Sequence, residues 1–182
     1  MAALAVIAFA AIAAGCGDDN SPSSAVGNGA DAAFISDMTA HHQGAIDMAR
    51  LAQDKTAHPE IRQLADDIVS AQEGEISVMK TIRRDVHAMG ENGDGHMGMS
   101  DADMGMDMDM TGLEDAKPFD KAFIDAMIPH HRGAIAMANE LLDEGEQPAL
   151  QQMARDIIDA QTKEIAQMRE WRTNWYGAGS QP

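Results

Sequence analysis

Two adjacent-histidine pairs, His41-His42 and His130-His131, stand in matching surroundings. Met38 precedes the first pair and Met48 follows it, and Met127 and Met137 take the same places around the second. Imidazole nitrogen and thioether sulfur together make a donor set for copper and other soft or borderline metals. Zinc calls for cysteine or more histidine, and calcium for an ordered loop of oxygen ligands. A third set of donors lies between the pairs, in HMGM (96–99) and MGMDMDM (104–110). It supplies His96, Met97, Met99, Met104, Met106, Met108 and Met110. Thioethers stay unprotonated at ordinary pH, favour Cu(I), and remain usable where thiols are lost to oxidation. Copper, with Cu(I) favoured, is the expected ligand, and another divalent metal is the alternative. The interspersed aspartates offer weak binding to a harder cation.

The elements that position these donors form a tandem repeat. Shifted by 89 residues, segment 31–82 lies on 120–171 without a gap, with 23 identities in 52 positions. Each copy reads as two helices, 31–56 with 59–87 and 118–144 with 148–175. Pro59 and Pro148 fall in the first turn of the second helix, where the missing N–H costs nothing. The short connections make each copy an antiparallel hairpin. Two hairpins that each expose an apolar stripe bury it against one another, which predicts an all-α, ferritin-like four-helix bundle.

At about 100° per residue, Phe34, Met38, His41, His42, Ala45, Met48 and Ala49 share one arc of the first helix, while Asp37, Asp47, Arg50 and Asp54 fall outside it. On the second helix Ile61, Leu64, Ile68, Met79 and Ile82 form the apolar stripe, and Gln72 and Glu75 interrupt it. Gln161, Glu164 and Met168 repeat the pattern in the fourth. A glutamate within an apolar stripe is costly unless it is paired or bound to a cation. Glu75 and Glu164 therefore read either as ligands or partners of a metal-bound histidine, or as buried His–Glu hydrogen bonds that fix helix register. Pro129, just before His130, predicts a kink in the third helix.

The first fifteen residues are apolar and end at Cys16, the single cysteine. This pattern resembles a lipoprotein signal peptide, and implies cleavage before Cys16 and acylation of its thiol. The expected organisation is a signal peptide at 1–15, a lipidated, polar tether at 16–30, a bundle at 31–176, and a tail at 177–182. Within the bundle, repeat one spans 31–88 and repeat two 118–176. The Met/Gly/Asp-rich stretch 89–117 between them has no apolar periodicity and reads as a mobile loop. The expected location is the extracytoplasmic face of a membrane, periplasm or cell surface.

A net charge of −17 excludes nucleic acid as a partner, because no basic patch is available to neutralise phosphates. It suits the concentration of cations instead. Di-iron oxidation in such bundles needs Glu-x-x-His on two helices. Neither Glu75 nor Glu164 has histidine three residues on, so no enzymatic activity is expected. A metal-free envelope scaffold is the competing reading. Trp171, Trp175 and Tyr176 near the end of the last helix could serve core capping, a partner or the membrane surface. No protein partner is named by the sequence, and self-association is left open.

The strings FISDMTAHHQGAIDMA and FIDAMIPHHRGAIAMA closely resemble the bacterial family catalogued as domain of unknown function 305, over about 34–171. The resemblance implies a ferritin-like four-helix architecture in exported or membrane-anchored proteins, some associated with copper binding and tolerance. By position it implies Met38, His41, His42 and Met48 as ligands, with Met127, His130, His131 and Met137 in the second copy. The first copy departs from the family string at Thr39-Ala40, where Ile-Pro is expected, which implies unequal halves.

Overall fold

A computed structural model describes residues 27–88 and 96–177. The apolar leader, Cys16, residues 17–26, residues 89–95 and the tail from 178 lie outside the described residues. Four long helices carry the fold: α1 (Gly29–Lys55), α2 (Pro59–Ala88), α4 (Phe119–Glu144) and α5 (Pro148–Tyr176), with a short α3 (Met110–Asp115) between the hairpins. No strand occurs among the described residues.

Helix ends follow local chemistry. Asn28 caps α1 through a capping box: its side chain accepts from the Asp31 N–H at 3.1 Å, and Asp31 accepts from the Asn28 N–H at 2.7 Å. The helix therefore starts two residues before the apolar pattern does. Pro148 occupies the first turn of α5, as expected. α4 runs through Pro129 as one helix.

Each hairpin packs internally, α1 on α2 and α4 on α5, and the hairpins meet chiefly through α1 and α4. Phe34, Ile35 and Ile46 of α1 and Phe123, Ile124 and Ile128 of α4 are buried in the core. Two carboxylates in repeat-related positions fix the direction of the α1–α4 seam. Asp31, fully buried, accepts from the backbone N–H groups of Glu146 and Gln147 at 3.1 and 3.2 Å. Asp120, 4% exposed, holds the Thr56 hydroxyl at 2.5 Å, the Ala57 N–H at 3.2 Å and the His58 Nδ1 at 2.6 Å. Each aspartate opens the first helix of one hairpin and ties down the turn of the other. α1 and α4 must then run antiparallel.

The segment that composition reads as a mobile loop differs from that expectation. Asp109 caps α3 by accepting from the Gly112 N–H at 2.9 Å, and Leu113 is buried beneath it. Residues 96–110 lie on the bundle, with Met97 and Met104 in the core. Asp37, expected at the surface, is buried because the loop covers it: it accepts from the Met97 N–H at 2.7 Å and meets His96 Nδ1 at 2.6 Å. Beside the other end of the seam His58 stacks on Trp175 with ring centroids 3.9 Å apart, and Trp175 stacks on Trp171. These aromatics pack against the core, half-buried.

Replacing a buried carboxylate that accepts several hydrogen bonds strands its donors. Asp120→Ala should lower stability by about 3 kcal/mol, and Asp31→Ala by a similar amount, whereas exposed Asp47→Ala should stay within about 0.5 kcal/mol. Urea unfolding followed by helical circular dichroism measures all three; equal effects would contradict the clamp.

Candidate metal centre

The two histidine pairs meet at the middle of the α1–α4 seam. The rings of His41 and His130 lie 3.7 Å apart, centroid to centroid, tilted by 38°. His42 and His131 flank them, and all four imidazoles are buried. Glycines make the approach close: a Cβ on Gly44 would sit 3.3 Å from His130 Nε2. A Cβ on Gly133 would collide with the Met104 carbonyl, and Gly105, at φ 68°, rests its backbone on Pro129 and His130.

Each nitrogen has a definable role. His41 Nε2 lies between the carbonyl oxygens of Met104, at 2.9 Å, and His130, at 3.1 Å. Two acceptors require a donor, so Nε2 carries the proton and Nδ1 holds the lone pair. His131 Nε2 donates to Glu164 at 2.6 Å. His42 Nε2 lies 2.7 Å from Glu75 but too oblique to the ring N–H to count as a hydrogen bond. Opposite a carboxylate, both rings keep their proton on Nε2. The Nδ1 atoms of His41, His42 and His131 are all buried without a hydrogen-bond partner, as are both nitrogens of His130. The side-chain oxygens of Gln72 and Gln161, one turn before the two glutamates, are likewise unpartnered.

Unsatisfied buried nitrogen costs stability unless something binds it. A histidine whose Nε2–H is held by a carboxylate or carbonyl, with a bare Nδ1, is the arrangement of a metal ligand and its supporting partner. Electrostatics point the same way. Burial above all, then the neighbouring His42, pushes the His41 pKa down to about 3, while the Met104 carbonyl partly opposes this. Burial and His41 hold His130 well below the usual histidine range. Both rings are neutral at pH 7, the form that binds metal.

The sulfur atoms are placed less simply than the sequence implies. Met38, Met48, Met79, Met127, Met137 and Met168 are all fully buried. Met38 and Met48, both ligand candidates by the family resemblance, belong to different core clusters. Ten helical residues separate them by about 15 Å, too far for one ion. Glu75 and Glu164 are each 23% exposed, so each forms the wet outer edge of its pair. In the loop, Met99 and Met106 pack partly on the first cluster, Met108 and Met110 on the second. His96 is spent on Asp37. Among the described residues no three His, Cys, Asp or Glu side chains group around one ion position, so a three-ligand site built here recruits thioether sulfur. Sequence reasoning passed over Asp37, Asp31, Asp120 and Gly105; only the exact spacing of Asp31 and Asp120 in the repeat hinted at a shared role.

The low histidine pKa values carry a sign. Between about 3 and 6.5 the unfolded chain binds protons at His41 that the folded chain refuses, so this contribution to stability is lost as pH falls through that window. The metal-free protein should melt at a lower temperature at pH 5 than at pH 7. His41→Gln with His130→Gln should flatten that slope in thermal melts, and an unchanged slope would contradict the assignment.

The chain resembles CopM in the Cu(I)-bound form, with 41% identity and a TM-score of 0.69 over 81% of this chain and 98% of that one. For CopM in the Cu(II)-bound form the values are 43%, 0.70, 80% and 97%. A putative secreted protein from Streptomyces coelicolor matches at 31% identity and TM-score 0.68, over 78% of this chain and 89% of that one. An uncharacterized protein of Acanthamoeba polyphaga mimivirus is 41% identical over 49 residues, which span only 32% of its length and 27% of this chain. The family model described as Domain of unknown function (DUF305) matches residues 31–172, from the first seam aspartate to the end of the last helix's buried face, and the chain belongs to that family.

Proposed function

We propose that this chain is a non-catalytic, extracytoplasmic lipoprotein that binds copper, for sequestration, tolerance or delivery. The observation that carries the reading is the state of the imidazoles: His41 and His131 are held through Nε2, His42 Nε2 lies 2.7 Å from Glu75, and all three leave an unpartnered Nδ1. The likeness to CopM, whose solved forms hold Cu(I), Cu(II) and silver, supports a soft metal as the ligand. The donor chemistry favours Cu(I), because fully buried methionines precede and follow each histidine pair on α1 and α4. The loop methionines, four of the six partly exposed, would meet the ion first and the seam would hold it. The apolar run ending at Cys16 supports export and a lipid anchor, and no described helix is long and apolar enough to cross a membrane. The lack of Glu-x-x-His at Glu75 and Glu164 supports a binding role over di-iron oxidation.

A titration of the chain from Gly17 onward with Cu(I), against a competing chelator, tests this. At least one tight equivalent is expected, lost when His130 and His131 are both changed to Ala while the helical spectrum survives. Glu164→Gln, which only loosens the orientation of His131, should weaken that site by about 10–100-fold. Binding lost only on deleting 96–110 would confine copper to the loop, and no binding would leave a scaffold.

A further inference from the structure

We infer that residues 96–109 form a detachable strap, and that its release as one unit, rather than a parting of the helices, opens the imidazole layer to an incoming ion. The identity of that ion rests on the copper-binding reading above; the strap and its latches do not.

The layer is closed as it stands, with all four imidazoles at most 1% exposed. The helices on either side of it are held firmly, because Asp31 and Asp120 clamp the α1–α4 seam near both ends. The covering segment is held at two points only. At the first, Asp37 on α1 accepts from the Met97 N–H at 2.7 Å and meets His96 Nδ1 at 2.6 Å. At the second, the Met104 carbonyl accepts from the His41 Nε2–H at 2.9 Å, and the Gly105 backbone lies against Pro129 and His130. Of the strap's side chains, only Met97 and Met104 are buried. A segment with so few buried apolar contacts opens at a far lower free energy than the core beneath it.

Between the latches the strap holds itself together. The Ser100 hydroxyl donates to the Asp103 carboxylate at 2.6 Å and accepts from the Asp103 N–H at 3.2 Å. The N–H groups of Met104, Gly105 and Met106 donate to the carbonyls of Ser100, Ala102 and Asp101. None of these bonds reaches a helix, so the turn can lift without breaking them. The far end stays anchored, because Asp109 caps α3 and Leu113 of α3 is buried. The outward residues of the strap include Asp101, Asp103, Asp107 and Asp109, all exposed, and their charge draws cations to this face. Lifting removes one of the two carbonyls at His41 Nε2. The other, on His130 at 3.1 Å, stays with the helix, so the ring keeps its orientation while it is uncovered.

Gly133 is where strap and helix touch. The three atoms nearest a Cβ placed there are all strap backbone, at Met104 and Gly105. Alanine is also the better helix former, so Gly133→Ala should displace the strap and leave α4 intact. Asp37→Ala releases the other latch. Gly74→Ala, on α2 with nothing within 4 Å of the added Cβ, is the control.

Nuclear magnetic resonance of the metal-free chain from Gly17 onward reads water exchange at the Met97 N–H and the His41 Nε2–H. In wild type both should report one opening free energy, lower than that of the α4 amides. In Gly133→Ala and in Asp37→Ala both protons should exchange about 10–100-fold faster with the helical spectrum unchanged, and Gly74→Ala should move neither. Cu(I) transfer from a coloured chelator, followed by stopped-flow absorbance, should quicken about tenfold in the two strap variants. If Asp37→Ala frees Met97 alone, the strap is not one unit and the inference fails. Faster exchange with unchanged uptake also overturns it, and moves the entrance to the wet edges at Glu75 and Glu164. A wild type that takes up no Cu(I) overturns the copper reading, and the paired exchange of the two protons still decides the strap. Should Gly133→Ala lose its helical spectrum, Asp37→Ala, at a site covered by the strap itself, carries the same test.

Discussion

The molecule is organised around four imidazoles buried in one helix–helix seam. Taking a histidine out of water is costly while it can carry charge, and His41 and His130 meet that cost by refusing the proton. A neutral imidazole still needs a partner for its N–H. For His41 the partners are two backbone carbonyls, and for His131 a glutamate at the solvent edge. The remaining lone pairs have no protein partner at all. An apolar seam would be more stable, which is why these residues read as retained for a ligand rather than for the fold.

The rest of the architecture serves to hold that seam in register. Asp31 and Asp120 each bind backbone at the opposite hairpin's turn, so the two ends of the α1–α4 contact are pinned by buried hydrogen bonds. With both ends fixed, sliding by one turn would break two carboxylate clamps and unstack His41 from His130. Metal chemistry needs such rigidity, because ligands that drift by an ångström lose most of their preorganisation. The outer helices contribute differently: α2 supplies Glu75 and Met79, α5 supplies Glu164, Met153 and Met168, and they meet each other only sparsely.

Most of the fold was legible because duplication and helical periodicity act over short distances. The ends of α2 and α5 follow from Pro59 and Pro148, and the burial of Met38, His41, His42 and Met48 follows from their shared arc. Glu75 and Glu164 were legible as breaks in an apolar stripe, and they contact His42 and His131 respectively. What periodicity cannot see is a covering by distant chain. Asp37 sits on the polar side of its helix and is buried only because residues 96–97 fold over it. The loop itself has no repeat to betray its order; its placement depends on Gly105 at positive φ and on the bare backbone of Gly133. The spacing of the methionines along the helix is a related case. Met38 and Met48 are neighbours in a motif, but a motif records which residues belong to a helix face and not how far apart they lie along it.

Connectivity also breaks the symmetry that duplication created. Two copies of one hairpin related by a two-fold axis would give His41 and His130 identical partners. Only one segment joins the copies, however, and it can cover only one side of the seam. Its Met104 carbonyl accepts from the His41 Nε2–H and its backbone fills the space above Gly133. Gly44, the repeat equivalent of Gly133, faces the bare His130 Nε2 instead. The two rings therefore differ in how firmly they are oriented: His41 is held by two carbonyls and His130 by stacking alone. A ring without a hydrogen-bond partner can rotate to follow an incoming ion, whereas a pinned ring presents one fixed lone pair. The loop thus gives one half of the duplicated histidine layer a hydrogen-bonded orientation that the other half lacks.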